Sequence, residues 1–174
     1  MKVRRRFFVS KKEARRLRED LAATLGAEAG RLVPQGSKVE RMETDDGHEL
    51  LVVDGKVTFW LVDGKPVPLL DVLLANPGLL KHVVVDSGAV PHVLNGADVM
   101  RPGVVSIDEG VAEGDVVAVV EETRQTPVAV GVALGDAEAL LNQRKGKVAK
   151  NLHTASDKVW KFKKELDAGR GRKP

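Results

Sequence analysis

The residues with the clearest chemical use in this chain are small ones. Val83-Val84-Val85 runs into Asp86-Ser87-Gly88-Ala89, and after a short apolar stretch come Asn95-Gly96-Ala97-Asp98 and Arg101-Pro102-Gly103. Glycine and alanine at such places let a backbone turn sharply and let another molecule come close to it. Amides at the start of a helix attract anions, and Ser87 is the expected cap of the short helix that follows. Arg101 adds a planar fork of donors. Together these residues predict a surface for binding phosphate rather than for making or breaking bonds.

Residues suited to bond-making are not arranged for it. The histidines, His48, His82, His92 and His153, show no metal-ligand spacing, and the chain has no cysteine. That excludes disulfides and thiolate metal sites. Neither G-x-x-x-x-G-K-[ST] nor G-x-G-x-x-G occurs, and Ser87 lacks the G-x-S-x-G setting of a nucleophile. The expectation is no catalytic residue, no metal and no cofactor.

Charge points the same way as the small residues. The net charge is only +3 over 174 residues, but it is segregated. Residues 1–20 carry nine Lys/Arg against three Asp/Glu, net +6, and residues 143–174 carry eleven against three, net +8. Residues 21–142 carry eight against nineteen, net −11. Basic ends on an acidic body give a directed field that draws a polyanion to one face. Hydrophobic content of 43% is enough for a buried core. No apolar run approaches the roughly 20 residues needed to cross a bilayer, and Met1–Arg6 is not followed by a signal-peptide stretch, so a cytoplasmic location is expected.

The elements that must position these residues fall into two parts. Phe7-Phe8-Val9 reads as a strand, and Ser10-Lys11-Lys12-Glu13 as a capping box opening a helix with Ala14, Leu17, Leu21 and Leu25 on one face. Arg15, Arg16 and Arg18 fall off that face and should be solvated. Residues 26–37 read as a loop or frayed helix end. Glu49–Val53 and Val57–Val62 flank Asp54-Gly55, a strong hairpin signal, and Asp63-Gly64 gives a second turn into residues 66–69. A short helix over residues 69–75 ends at Asn76-Pro77-Gly78. An α+β domain therefore spans 1–78. Beyond it, strands are expected at residues 83–85, 99–107, 115–120 and 127–134, with a small helix at 136–141. Residues 146–148 and 159–162 are expected to close the sheet. Many short strands between glycine turns suggest a small barrel over 79–164, followed by a basic mobile tail at 165–174.

The run Asp86–Ala89, Asn95–Gly103 resembles the PUA domain, named for pseudouridine synthase and archaeosine transglycosylase. Gly114-Asp115-Val116-Val117, Val130–Ala133, Gly146–Lys150 and Asn151-Leu152-His153 ahead of Trp160 look like its later landmarks, so the resemblance covers about residues 80–164. With Leu51–Lys56, the helix before Asn76-Pro77, and Asp157, the whole of about residues 1–164 is similar to the malignant T-cell amplified sequence and translation-machinery-associated family, in its archaeal single-chain form. The resemblance implies an α+β N-terminal domain followed by a mostly β PUA-like pseudobarrel. It also implies RNA as partner, either tRNA or small-subunit ribosomal RNA, with association with the small ribosomal subunit in initiation or recycling.

On that resemblance Ser87, Gly88, Ala89, Asn95, Gly96, Ala97, Arg101, Pro102 and Gly103 form one wall of an RNA groove. Lys147, Lys150, Asn151, His153 and Lys158 contribute the other. Lysines there add affinity that weakens with salt. His153 or Trp160 stacks on a base, unless each serves the core instead. Arg4, Arg5 and Arg6 either touch ribosomal RNA or form a mobile basic tip. Two other readings remain open: an RNA-modification enzyme or its targeting subunit, and an adaptor whose acidic middle docks a ribosomal protein.

Overall fold

The computed structural model describes residues 1–170. The chain divides into two compact units, residues 1–69 with the segment from Lys161 onward, and Leu70–Trp160. The division precedes the short helix α3 (Leu70–Ala75) rather than following Gly78, because α3 packs on a strand of the second unit.

The first unit is an antiparallel meander. Strands β1 (Val3–Phe8), β2 (Val39–Thr44), β3 (Glu49–Val53), β4 (Lys56–Val62) and β5 (Lys65–Pro68) lie in sequence order. Both expected hairpin turns form, with Asp54 and Gly55 at φ +46° and +85°, the left-handed pair that matches strand twist. Helix α1 (Lys11–Leu25) begins with the expected capping box: the Glu13 amide donates to Ser10 Oγ at 3.2 Å and the Ser10 amide to Glu13 Oε2 at 2.9 Å. Leu21 on its apolar face is fully buried, as are Met42, Leu50, Val52 and Phe59 of the sheet. Each such side chain stabilises the fold by about 1.5–3 kcal/mol.

Three details differ from the sequence reading. Arg18 is half-buried rather than free in solvent; its guanidinium donates to the Val33 and Pro34 carbonyls at 2.6 and 3.2 Å. Residues 27–30 of the expected loop form a short helix, α2 (Ala27–Gly30). The basic start of the chain is an ordered strand: Arg6 makes a fork to Glu40 at 2.6 and 2.8 Å, Arg4 meets Glu43 at 3.4 Å, and Arg5 lies over the Phe7 ring. Much of that positive charge is neutralised by the strand beside it.

The second unit is a mixed six-stranded sheet curled into a pseudobarrel. Its strands are β6 (His82–Val85), β7 (Val99–Met100), β8 (Val104–Ile107), β9 (Val116–Glu121), β10 (Pro127–Ala133) and β11 (Lys147–Thr154), in the order β7-β11-β10-β9-β6-β8. Only the β6–β9 pair is parallel. Val83, Val85, Val117, Val119 and Val148 fill the interior with no exposed surface. Helices α4 (Val90–Leu94) and α5 (Ala137–Asn142) sit between strands.

Residues 159–162 do not close the sheet. They belong to α6 (Lys158–Arg170), whose first turn is capped by Asp157: its Oδ1 accepts from the Trp160 amide at 2.7 Å. The strand that borders β7 is β11. Because α6 runs to Arg170, residues 165–170 of the expected mobile tail are helical; the rest of that tail, 171–174, lies outside the described residues.

Candidate nucleic-acid interface

Asp86, at the end of β6, organises the region that the small residues predicted. Its Oδ1 accepts from the Ala89 amide at 2.8 Å, and its own amide donates to the Gly103 carbonyl at 2.9 Å. This turn leads into α4, whose cap position is Ala89, so Ser87 is not the cap. The reason is spacing: with the helix starting at Val90, it is Asp86 that reaches the amide three residues on. The Ala89 amide is thereby consumed and does not offer itself to a phosphate. Ser87 is exposed and faces a different hollow, with Pro91, Glu121 and Arg124.

Asn151 and Asp98 hold the other side of the loop. The Asn151 Nδ2 donates to the Val93 and Ala97 carbonyls, both at 2.9 Å, and the Asn151 amide donates to Asp98 Oδ1 at 2.9 Å. Asp98 Oδ2 accepts from Lys147 Nζ at 2.7 Å. The Lys147 bond, then the Asn151 amide, hold the Asp98 carboxyl below its usual pKa. Asn151 therefore fastens the α4 loop to β11 rather than presenting its amide to a ligand. Asn95 and Gly96 are exposed at the end of α4.

Arg101 and His153 are both engaged within the fold. Most of the Arg101 fork is spent inside the fold. Nη1 donates to the Val104 carbonyl at 3.0 Å, while Nε and Nη2 both reach the Leu141 carbonyl, at 3.3 and 3.1 Å. Three of its five donors thus tie the turn at residues 101–103 to the end of α5. His153 takes the second of its two expected roles, for its side chain is wholly buried. Its Nδ1 bonds Asp157 Oδ2 at 2.6 Å, and its ring lies 6.2 Å from that of Trp160. Burial pushes the Asp157 carboxyl up, but the His153 bond and charge and the Trp160 and Thr154 amides outweigh it, leaving the pKa below its usual value.

What remains is a pocket of about 510 Å³. Gly88, Ala89, Ala97, Pro102 and Gly103 all line it, so five of the predicted residues do come together. Val93 and Val99 give it an apolar floor, His92 and Met100 are exposed members of its lining, and Asp86 and Asp98 complete it. A Cβ at Gly103 would lie 2.8 Å from the Ala89 Cβ, so the two backbones meet only because residue 103 is glycine. No lysine or arginine lines the pocket. The cations stand beside it: Lys147 pairs with Met100 in the β7–β11 ladder, and Lys147, Lys150 and Lys158 are all exposed. The sequence pattern contains Asp86, His92, Asp98 and Met100 but gave none of them an individual role; the spacing of Asp86 to Ala89 was the available signal.

Among the described residues no group of three or more histidine, aspartate or glutamate side chains is placed to hold a metal ion, and no helix is long and apolar enough to cross a membrane.

This pocket, lined by the Asp86 turn, α4, β7 and the turn at 102–103, is built from residues that match a known module: 81–154 match the PUA domain. The chain is 39% identical to an uncharacterized protein of Methanocaldococcus jannaschii over 94% of its own length and 99% of that protein's. It is 32% identical to malignant T-cell-amplified sequence 1 of Rattus norvegicus, with 76% of this chain and 75% of the relative covered. It is 29% identical to translation machinery-associated protein 20 of Saccharomyces cerevisiae, with 77% of each covered. A crystal structure of a hypothetical protein from Pyrococcus horikoshii superimposes with a TM-score of 0.82 at 36% identity, covering 91% of this chain and 99% of that one. The chain belongs to the PUA-domain family that includes the malignant T-cell-amplified sequence and translation machinery-associated 20 proteins.

Proposed function

We propose that this protein binds RNA non-catalytically in the cytoplasm as a factor of the translation machinery, taking up a tRNA or an unpaired segment of small-subunit ribosomal RNA. The observation that carries this reading is the pairing of a largely apolar pocket that holds no cation with exposed lysines on the neighbouring strand. Unstacked bases need apolar surface, and the sugar-phosphate chain needs cations beside that surface rather than within it. The names of the yeast and vertebrate relatives support the translation context.

Fluorescence anisotropy with labelled tRNA, and sedimentation with purified small subunits, test the reading at two salt concentrations. Affinity should fall with salt, and Lys150→Ala should lower it and reduce the log–log salt slope by about 0.7 for a single strand. Absence of RNA binding near physiological salt would overturn the proposal. Turnover of a nucleoside in bound RNA would move the protein to the RNA-modifying class.

A further inference from the structure

The pocket has a chemical polarity that the RNA-binding reading does not use. Of its two carboxylates, Asp98 is already occupied by Lys147 and by the Asn151 amide. Asp86 forms no ion pair among the described residues, and only its Oδ1 is engaged, on the Ala89 amide. Asp86 is half-buried, and its Oδ2 therefore remains without a bond in a largely apolar lining. An ionised carboxylate accepts hydrogen bonds and cannot donate them. It repels phosphate, so the group that enters the pocket is a base rather than the backbone.

Resting on the RNA-binding reading, we propose that the pocket takes one unstacked nucleobase and that Asp86 makes it selective for bases bearing an amino group, cytosine over uracil in particular. Cytosine presents its exocyclic amine as a donor at the position where uracil presents a carbonyl oxygen. Set against Asp86 Oδ2, the first makes a charge-assisted bond and the second brings two acceptors together. Uracil's N3–H can donate when the ring turns, but the carbonyl oxygens on either side of it face the carboxylate and weaken that bond. The faces of the base meet Met100, whose thioether packs well on rings, His92 and the floor of Val93 and Val99. Lys147, held at the rim through Asp98, stands where the flanking phosphate passes. Asp86 thus serves as a specificity-determining residue, distinct from the lysines that supply affinity.

The test compares oligocytidylate with oligouridylate of equal length, which carry the same charge, against the full chain. Cytidylate should bind on the order of tenfold more tightly, the worth of one hydrogen bond to a charged group. Asp86→Asn keeps a carbonyl oxygen for the Ala89 amide and so preserves the turn, which far-UV circular dichroism and the melting temperature check. This variant should erase the preference, because its Nδ2 can donate to a uracil carbonyl. Equal binding of the two oligomers by the native chain, or a preference that survives Asp86→Asn, would overturn the selectivity while leaving RNA binding in place. Failure of both oligomers and of tRNA to bind would remove the RNA-binding reading itself.

Discussion

Replacing Gly103 by alanine puts a methyl group 2.8 Å from the Ala89 Cβ, about 1 Å inside ordinary carbon–carbon contact. Neither partner is the flexible end of a side chain, so backbone has to move. Gly103 cannot retreat freely, because its carbonyl holds the Asp86 amide at 2.9 Å, and Ala89 cannot, because its amide is fixed by Asp86 Oδ1 at 2.8 Å. Overpacking of this kind costs about 1–3 kcal/mol. For a chain of this length each kcal/mol lowers the melting temperature by about 2–4 °C, so a fall of several degrees is expected in a calorimetric scan. The same displacement shifts Asp86 and Ala89 in the pocket, so RNA affinity should fall at temperatures where Gly103→Ala remains folded. The decisive comparison is the double variant with Ala89→Gly, which removes the atom that Gly103→Ala strikes. Stability and binding should both recover relative to Gly103→Ala alone, a coupling that independent sites do not show. Strictly additive effects, or a Gly103→Ala protein that melts and binds as the native chain does, would refute the close-approach argument.

Further expectations test the neighbouring supports. Arg101→Ala leaves the Val104 and Leu141 carbonyls without their donor and should lower denaturant stability by about 1–3 kcal/mol, while the salt slope of RNA binding stays unchanged. Ser10→Ala removes the capping box of α1 and should cost about 1 kcal/mol in urea unfolding. The Asp157 carboxyl is depressed in the folded protein, so its contribution is present above its unfolded pKa and is lost as pH falls through the folded value. Melting temperatures of Asp157→Asn should accordingly approach those of the native chain toward acid pH and lie below them near neutrality.

The fold was largely legible because its signals are local. The turns at Asp54-Gly55 and Asp63-Gly64, the capping box at Ser10–Glu13 and the valine runs of β6 and β9 each specify their element within a few residues. β2 escaped notice because Val39–Thr44 holds three charged residues and no clear alternation; it is paired on both sides, by β1 and β3, and its Glu40 and Glu43 are met by Arg6 and Arg4 of β1. The segment at 159–162 misled because Val159 and Phe162 look equally at home in strand and helix, and the cap at Asp157 decides between them. In the site, the small residues were readable as a group, since an apolar pocket with close backbone needs them. The roles of Arg101 and Asn151 were not, because a donor's partner can be a carbonyl far along the chain as easily as a ligand. Arg101 finds Leu141, and Asn151 finds Val93 and Ala97.

The bonds from Asn151 also set an order on biosynthesis. The pocket is written in residues 86–103, yet its outer loop is pinned by a side chain that leaves the ribosome only some fifty residues later, with β11. Until that strand docks beside β7, the nascent segment has its turns and its apolar floor but no fixed opening. The loop that borders the pocket is therefore fastened by a residue of the last strand of the barrel, and it lacks that fastening until the strand has been made.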